Sequence, residues 1–304
     1  MKLHFLGTGT SIGVPQMGCQ CHVCRSADPR DKRSRCSALL ETDVDPETGH
    51  AHLILIDCGP DFRQQMLRFL ADHPEGSPQG ATLPYLHRSS VETSPEQAKA
   101  AGYFASRHYD YALPAIDAVL VSHEHYDHVG GLDDLRPFSV LKTVQICAEP
   151  NVASSIRRNL FYCFKEHPYP GSPHLTMHEI DFEAKEHSFN IGRTRVEPIR
   201  VYHGKLPIAG FRIGPLAYLT DMTHMPTEEE CKLTGIDTLV VNALRIEPHP
   251  THQSIDEAIA FAQRIGARQT YFIHMSHGAW RQAESEQKLP ENIHFAFDGL
   301  TIEI

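Results

Sequence analysis

At 304 residues and 41% hydrophobic composition, the chain is long enough for one large α/β domain with a sizeable core. Its net charge of −10 argues against broad electrostatic capture of nucleic acid and leaves room for a small anionic substrate. No apolar run reaches bilayer-spanning length, Met1–Gly7 turns Gly/Thr-rich too early for a secretory segment, and the eight cysteines are too sparse for a small-domain disulfide framework. A cytoplasmic protein without membrane contact is expected.

Leu3–Leu6 reads as a first strand followed by the turn Gly7-Thr8-Gly9-Thr10. No Lys-Ser/Thr helix start follows, so the turn is read as a simple one and not as a phosphate cradle. Cys19, Cys21 and Cys24 then cluster closely, which in a reducing compartment suggests a metal. Cys36, Cys58, Cys147, Cys163 and Cys231 read as ordinary reduced thiols. Leu53–Ile56 is a strong buried strand ending at Asp57-Cys58-Gly59, and Asp61–Leu70 reads as a helix. Residues 74–112 are rich in Pro, Gly, Ser and Tyr, with a short helix expected from Ser94-Pro95, and read as an insertion.

The most informative stretch follows a strand over Ile116–Ser122, which delivers His123-Glu124-His125-Tyr126-Asp127-His128 at its C-terminal end. On an extended backbone residues i and i+2 point the same way, so His123 and His125 can converge on one ion while Asp127 and His128 turn toward a second. A single such histidine would read as a surface loop residue. Four ligand-type side chains at this spacing behind a buried strand point instead to a dinuclear metallohydrolase. Imidazole at 125, where a carboxylate would favour diiron redox chemistry, favours zinc or manganese hydrolysis. Gly130-Gly131 lets the chain turn closely before a helical segment from Leu132.

A second insertion is expected near 151–175, where a helical stretch bearing Arg157, Arg158, Phe161, Tyr162 and Phe164 runs into Pro168-Tyr169-Pro170-Gly171. Core packing and a substrate-shaping lid are both open readings there. The later half repeats strands leading to polar residues: Val196–Tyr202 before His203, Leu216–Thr220 before Asp221, Thr238–Asn242, and Gln269–Ile273 before His274. Thr251–Ile265 reads as an amphipathic helix opened by His252-Gln253-Ser254. Ile293–Ile304 alternates around Asp298-Gly299 as a closing β-hairpin would.

With these residues in view the chain resembles the metallo-β-lactamase superfamily: His123-x-His125-x-Asp127-His128 is followed in order by His203, Asp221 and His274. The resemblance spans nearly the whole chain. It implies an αββα sandwich, two central sheets flanked by helices, as a single domain over 1–304 with the metals in a cleft at one edge. It implies two divalent ions (Zn or Mn), His123, His125 and His203 on one, Asp127, His128 and His274 on the other, and Asp221 bridging. Asp57 matches the position that orients the ligand loop.

The run Gly18-Cys19-Gln20-Cys21-His22-Val23-Cys24 narrows the resemblance to the phosphodiesterase branch typified by PhnP. There three such cysteines hold a structural zinc, and the fourth ligand follows the last active-site histidine by three residues. Here that residue is His277, so the resemblance implies a closed site of Cys19, Cys21, Cys24 and His277. The implied activity is hydrolysis of a small phosphodiester, cyclic ones included, by a hydroxide bridging the metals. Asp127 would orient the hydroxide, His252 would protonate the leaving alkoxide, and Lys205 or Arg157 would hold the substrate phosphate. The longer region between Asp57 and His123 departs from that branch and bears on leaving-group specificity.

A tRNA 3′-processing endoribonuclease shares the metal constellation, but no long basic arm for gripping tRNA is visible, so nucleic acid is not the favoured partner. A PqqB-like cofactor-biosynthesis protein or a non-enzymatic scaffold is expected to lose active-site ligands, and none is missing here. A homodimer is compatible with this reading.

Overall fold

The computed structural model describes residues 1–47, 49–87, 111–169, 171–184 and 187–304. The first half carries β1 (Lys2–Gly7), β2 (Ser37–Glu41), β3 (Leu53–Ile56), β4 (Tyr85–His87), β5 (Ala112–Pro114), β6 (Ile116–Leu120), β7 (Val144–Ala148) and β8 (Leu175–Glu179). The second carries β9 (Phe189–Ile191), β10 (Thr194–His203), β11 (Leu206–Ile213), β12 (Leu216–Leu219), β13 (Thr238–Asn242), β14 (Gln269–Ile273), β15 (Ile293–Phe295) and β16 (Thr301–Glu303). Among the described residues these form two seven-stranded sheets, ordered β16-β1-β2-β3-β6-β7-β8 and β15-β14-β13-β12-β11-β10-β9, beside a small β4-β5 pair.

Burial explains the layering. The apolar runs of β3 and β12 are covered on both faces, as strands of parallel regions flanked by helices must be. Phe5, Leu40, Ile54 and Ala118 from the first sheet meet Phe211, Tyr218 and Val240 from the second in one shared core. On the outer face of the first sheet, helix Phe62–Asp72 presents Phe62, Met66 and Phe69 to Leu39, Leu55 and Val119. On that of the second, helix Ile255–Ile265 presents Ile255, Ala258, Phe261 and Ala262 to Leu239, Val241 and Phe272. The order helix, sheet, sheet, helix is the expected αββα sandwich.

Two expectations change. Helix Ile255–Ile265 starts four residues later than its apolar pattern suggests, because Ser254 and Glu257 form a capping box that fixes the first turn. His252 therefore lies in the loop before the helix. The closing segment is not a hairpin: β15 pairs parallel to β14 and β16 antiparallel to β1, so Phe297–Leu300 crosses from one sheet to the other. Asp298 anchors that crossing by accepting from the Thr8 N–H at 2.9 Å and the Ser34 N–H at 2.8 Å. The expected 151–175 insertion begins as helix Pro150–Asn159, whose Val152, Ala153 and Ile156 pack into the first-sheet core. The helix expected at Ser94-Pro95 lies outside the described residues.

The strands β3, β6 and β7 are parallel, as are β12, β13 and β14, so each set ends at one edge of its sheet. Asp57, His123, Asp221, Asn242 and His274 stand at or just beyond those ends. Open α/β sheets place ligands in this position. Among the described residues no helix is long and apolar enough to cross a membrane.

Candidate metal centre

The ligand candidates gather into two groups at this edge. Ligand atoms of His123, His125 and His203 lie within 4.8 Å of one another, as do those of Asp127, His128, Asp221 and His274. His123 Nε2 faces His125 Nδ1 at 2.8 Å, while Asp127 Oδ2 and Asp221 Oδ1 approach His128 Nε2 at 3.1 and 3.4 Å. His274 Nε2 lies 3.3 Å from Asp221 Oδ2 and 3.6 Å from Asp127 Oδ2. Asp221 thus borders both groups, since its Oδ2 is also 3.9 Å from His123 Nε2.

The surroundings aim these groups. Asp57 is fully buried, accepts from the Ser122 N–H and hydroxyl at 2.8 Å each, and faces His128 Nδ1 at 2.7 Å. His128 Nε2 is left pointing into the cluster. His203 Nδ1 lies 2.7 Å from the Thr251 carbonyl, which also accepts from the Thr223 hydroxyl, while Thr223 Oγ1 accepts from the Gly204 N–H at 2.7 Å. The loops themselves approach without room for a side chain: a Cβ at Gly59 would stand 2.1 Å from the Asp127 carbonyl oxygen, and one at Gly131 2.0 Å from that of Gly59. Asp57, Asp221 and His274 carry φ values of +57, +54 and +58°, the positive-φ non-glycine residues among those described. Each such residue costs on the order of 1–3 kcal/mol, a strain found where function over-determines the backbone.

Whether the residues fit cations can be judged from their unmet chemistry. The buried His128 Nε2 and His274 Nε2 have no hydrogen-bond partner. Burial alone would lower the His128 imidazole, yet Asp221, Asp57 and Asp127 around it hold it well above its ordinary value. Burial alone would raise the Asp221 carboxyl, yet His274, His128 and His123 hold it well below. Buried carboxylates that favour positive charge, beside imidazole nitrogens that make no hydrogen bond, form a donor set suited to divalent ions, which would take the place of the protons.

His252 joins this edge, 9% exposed, with its ring 4.5 Å from that of His203 and 4.8 Å from that of His274. His203, Asp221 and His252 form a further ligand-type group. Lys205 is exposed in the turn after His203. Arg157 pairs its guanidinium with Glu179 at 2.5 Å where β8 ends.

A second group joins Cys19, Cys21, Cys24 and His277. His277 Nδ1 is 3.1 Å from Cys19 Sγ and 3.6 Å from Cys21 Sγ, spacings near the edge of a tetrahedron built on zinc bonds of about 2.0–2.3 Å. The backbone N–H groups of Cys21, Cys24 and Gln16 point at the sulfurs of Cys19, Cys21 and Cys24. Burial raises the Cys21 thiol, but the Cys24 N–H and contacts with Cys19 and His277 bring it down to about 6. The loop is tied to the first site through Met275, whose N–H donates to the Thr8 carbonyl and whose carbonyl accepts from the Thr10 N–H, both at 3.0 Å. Met275 lies between His274 and His277. Sequence reasoning did not find the orienting contacts of Ser122, Thr223 and Thr251.

Comparison with known proteins agrees with this geometry. Residues 88–275 match the β-lactamase superfamily domain model. A crystal structure of a diphosphatase from the PhnP family superposes with a TM-score of 0.75 at 32% identity, covering 100% of this chain and 96% of that one. Zn²⁺-bound PqqB from Methylobacterium extorquens shares the fold, with a TM-score of 0.68 at 19% identity and full coverage of both chains. A Porphyromonas gingivalis protein named octanoyltransferase is 40% identical over 302 residues, 99% of this chain, which spans about half (51%) of that relative's length. The αββα sandwich agrees with these matches, and the chain belongs to the metallo-β-lactamase superfamily, in its PhnP-like branch.

Proposed function

We propose that the whole of 1–304 acts as one phosphodiesterase domain on a small phosphodiester. The observation that supports this best is the pairing of a complete His/Asp ligand set with a Cys₃His group in one fold. Divalent ions bound there would supply a water acidified toward neutral pH and positive charge for the phosphoryl oxygens. His123, His125 and His203 would hold one ion, Asp127, His128 and His274 the other, with Asp221 between them. Cys19, Cys21, Cys24 and His277 would hold a structural zinc.

The chain's own groups supply the rest. The Asp127 carboxylate orients the nucleophile from the rim of the cluster. His252 serves as proton donor to the leaving oxygen. Burial first, then the neighbouring His274, press its imidazole down to about 3, so it is neutral at rest. A phosphodiester anion entering beside it favours the protonated form, and the imidazole takes that proton from solvent before passing it to the leaving oxygen. Lys205, exposed beside His203, holds a substrate phosphate oxygen.

Cleavage of a diphosphate linkage is the second reading, favoured by the diphosphatase among the relatives. Attack at phosphorus is the same, and the leaving group becomes a phosphate. The test offers bis(4-nitrophenyl) phosphate, a 2′,3′-cyclic nucleotide and a dinucleotide diphosphate to metal-loaded protein and to His125→Ala. Diester turnover that disappears in the variant supports the proposal, turnover of the diphosphate alone moves it to the second reading, and none at all rejects both.

A further inference from the structure

β13 ends between two ligand-bearing neighbours. Parallel β12 leads to Asp221 and parallel β14 to His274, but β13 ends in an amide, Asn242, which is fully buried. Both ends of that amide grip one residue: Oδ1 accepts from the Met222 N–H at 2.6 Å and Nδ2 donates to the Met222 carbonyl at 3.0 Å. The same carbonyl accepts from the Gln253 N–H at 3.2 Å, and the Gln253 carbonyl accepts from the Leu244 N–H at 2.9 Å. Met222 immediately follows Asp221 and Gln253 immediately follows His252. The side chain stands in for a strand partner where the backbone leaves the extended region, at the φ of +54° of Asp221.

We propose that Asn242 is a positioning residue that sets the Asp221 carboxylate relative to the His252 imidazole, 3.9 Å apart between Oδ2 and Nδ1, through the Met222 backbone. The inference rests on the reading of Asp221 as a metal ligand and His252 as the proton donor. A departing alkoxide needs that proton and a departing 4-nitrophenolate does not, so a loosened clamp acts selectively on the poor leaving group.

The test compares wild type, Asn242→Ala, Asn242→Asp and Leu239→Ala as metal-loaded full chains. Asn242→Asp keeps the acceptor toward the Met222 N–H and loses the donor toward its carbonyl, so it carries the test if Asn242→Ala does not fold. Leu239→Ala removes a buried side chain on the same strand and reports what general destabilisation does. With the Asn242 variants, kcat on a 2′,3′-cyclic nucleotide is expected to fall roughly 10–100-fold, with KM little changed and bis(4-nitrophenyl) phosphate turnover within about threefold of wild type. Chelator competition is expected to show active-site metal affinity lowered by about 10–100-fold, a readout that needs no substrate. Equal losses on both diesters, or the same leaving-group bias in Leu239→Ala, would overturn the proposal. If wild type turns over neither diester, the functional reading has failed by itself; unchanged metal affinity in the Asn242 variants then also rejects the link to Asp221, and a lowered one sustains it.

Discussion

Replacing Asp57 separates what holds the fold from what aims the metal ligands. The carboxylate serves the Ser122 N–H and hydroxyl at 2.8 Å and His128 Nδ1 at 2.7 Å, all away from solvent. In Asp57→Ala the Ser122 hydroxyl can turn to His123 Nδ1, 3.0 Å away, but the Ser122 and His128 N–H groups lose their acceptor. Each stranded buried donor costs about 1–3 kcal/mol, so the variant should lose about 2–6 kcal/mol, a large share of a typical total of about 5–15. Asp57→Asn is the sharper perturbation. Its carbonyl still accepts from Ser122, but its NH₂ group meets His128 Nδ1 and favours the tautomer with the proton on Nε2, where a metal would need the lone pair. We expect Asn to be milder than Ala in urea unfolding of the metal-free protein, yet to weaken metal binding by about 10–100-fold in chelator competition. An Asn variant with wild-type metal affinity and activity would refute the assigned role of Asp57.

Other outcomes follow from the same geometry. Cys21→Ala should retain one zinc fewer per chain than wild type by elemental analysis, and an equal count would remove the structural site. Glu41 should give the protein an acid-sensitive component: burial raises its carboxyl, but hydrogen bonds with His4 and Thr82 and the charge of Lys2 hold it at about 2, below its ordinary 4.5. A depressed carboxyl stabilises the fold above the unfolded value and loses that contribution as pH falls from about 4.5 toward 2, here on the order of 3 kcal/mol. Glu41→Gln should flatten unfolding free energy across that window, and an unchanged slope would show that the network does not act this way. Gly131→Ala should lose about 1–3 kcal/mol and weaken metal binding, because its Cβ would stand 2.0 Å from the Gly59 carbonyl oxygen and push apart the loops that carry Asp57 and Asp127. Wild-type melting and metal affinity in that variant would show that the loops can part without cost.

The strands and the first ligand run were legible in the sequence because their signals are local. Apolar runs such as Leu53–Ile56 specify buried strands by burial alone, and His123-x-His125-x-Asp127-His128 carries its own spacing. The later ligands His203, Asp221 and His274, and the pairing of His277 with the distant cysteines, became legible through their order in the superfamily, since an isolated histidine after a strand carries no partner information. Tertiary structure decided the rest. The final segment alternates like a hairpin, yet β15 and β16 belong to different sheets, because Asp298 binds Thr8 and Ser34 from the other end of the chain. Arg157 looks like a phosphate ligand in one dimension and is held by Glu179 in three. The positive φ of Asp57, Asp221 and His274, and the amide grip of Asn242 on Met222, depend on which strand ends become neighbours. Local sequence can specify an element and the residue at its end, but the hydrogen bonds that aim that residue come from segments tens to hundreds of positions away, and only packing brings them within about 3 Å.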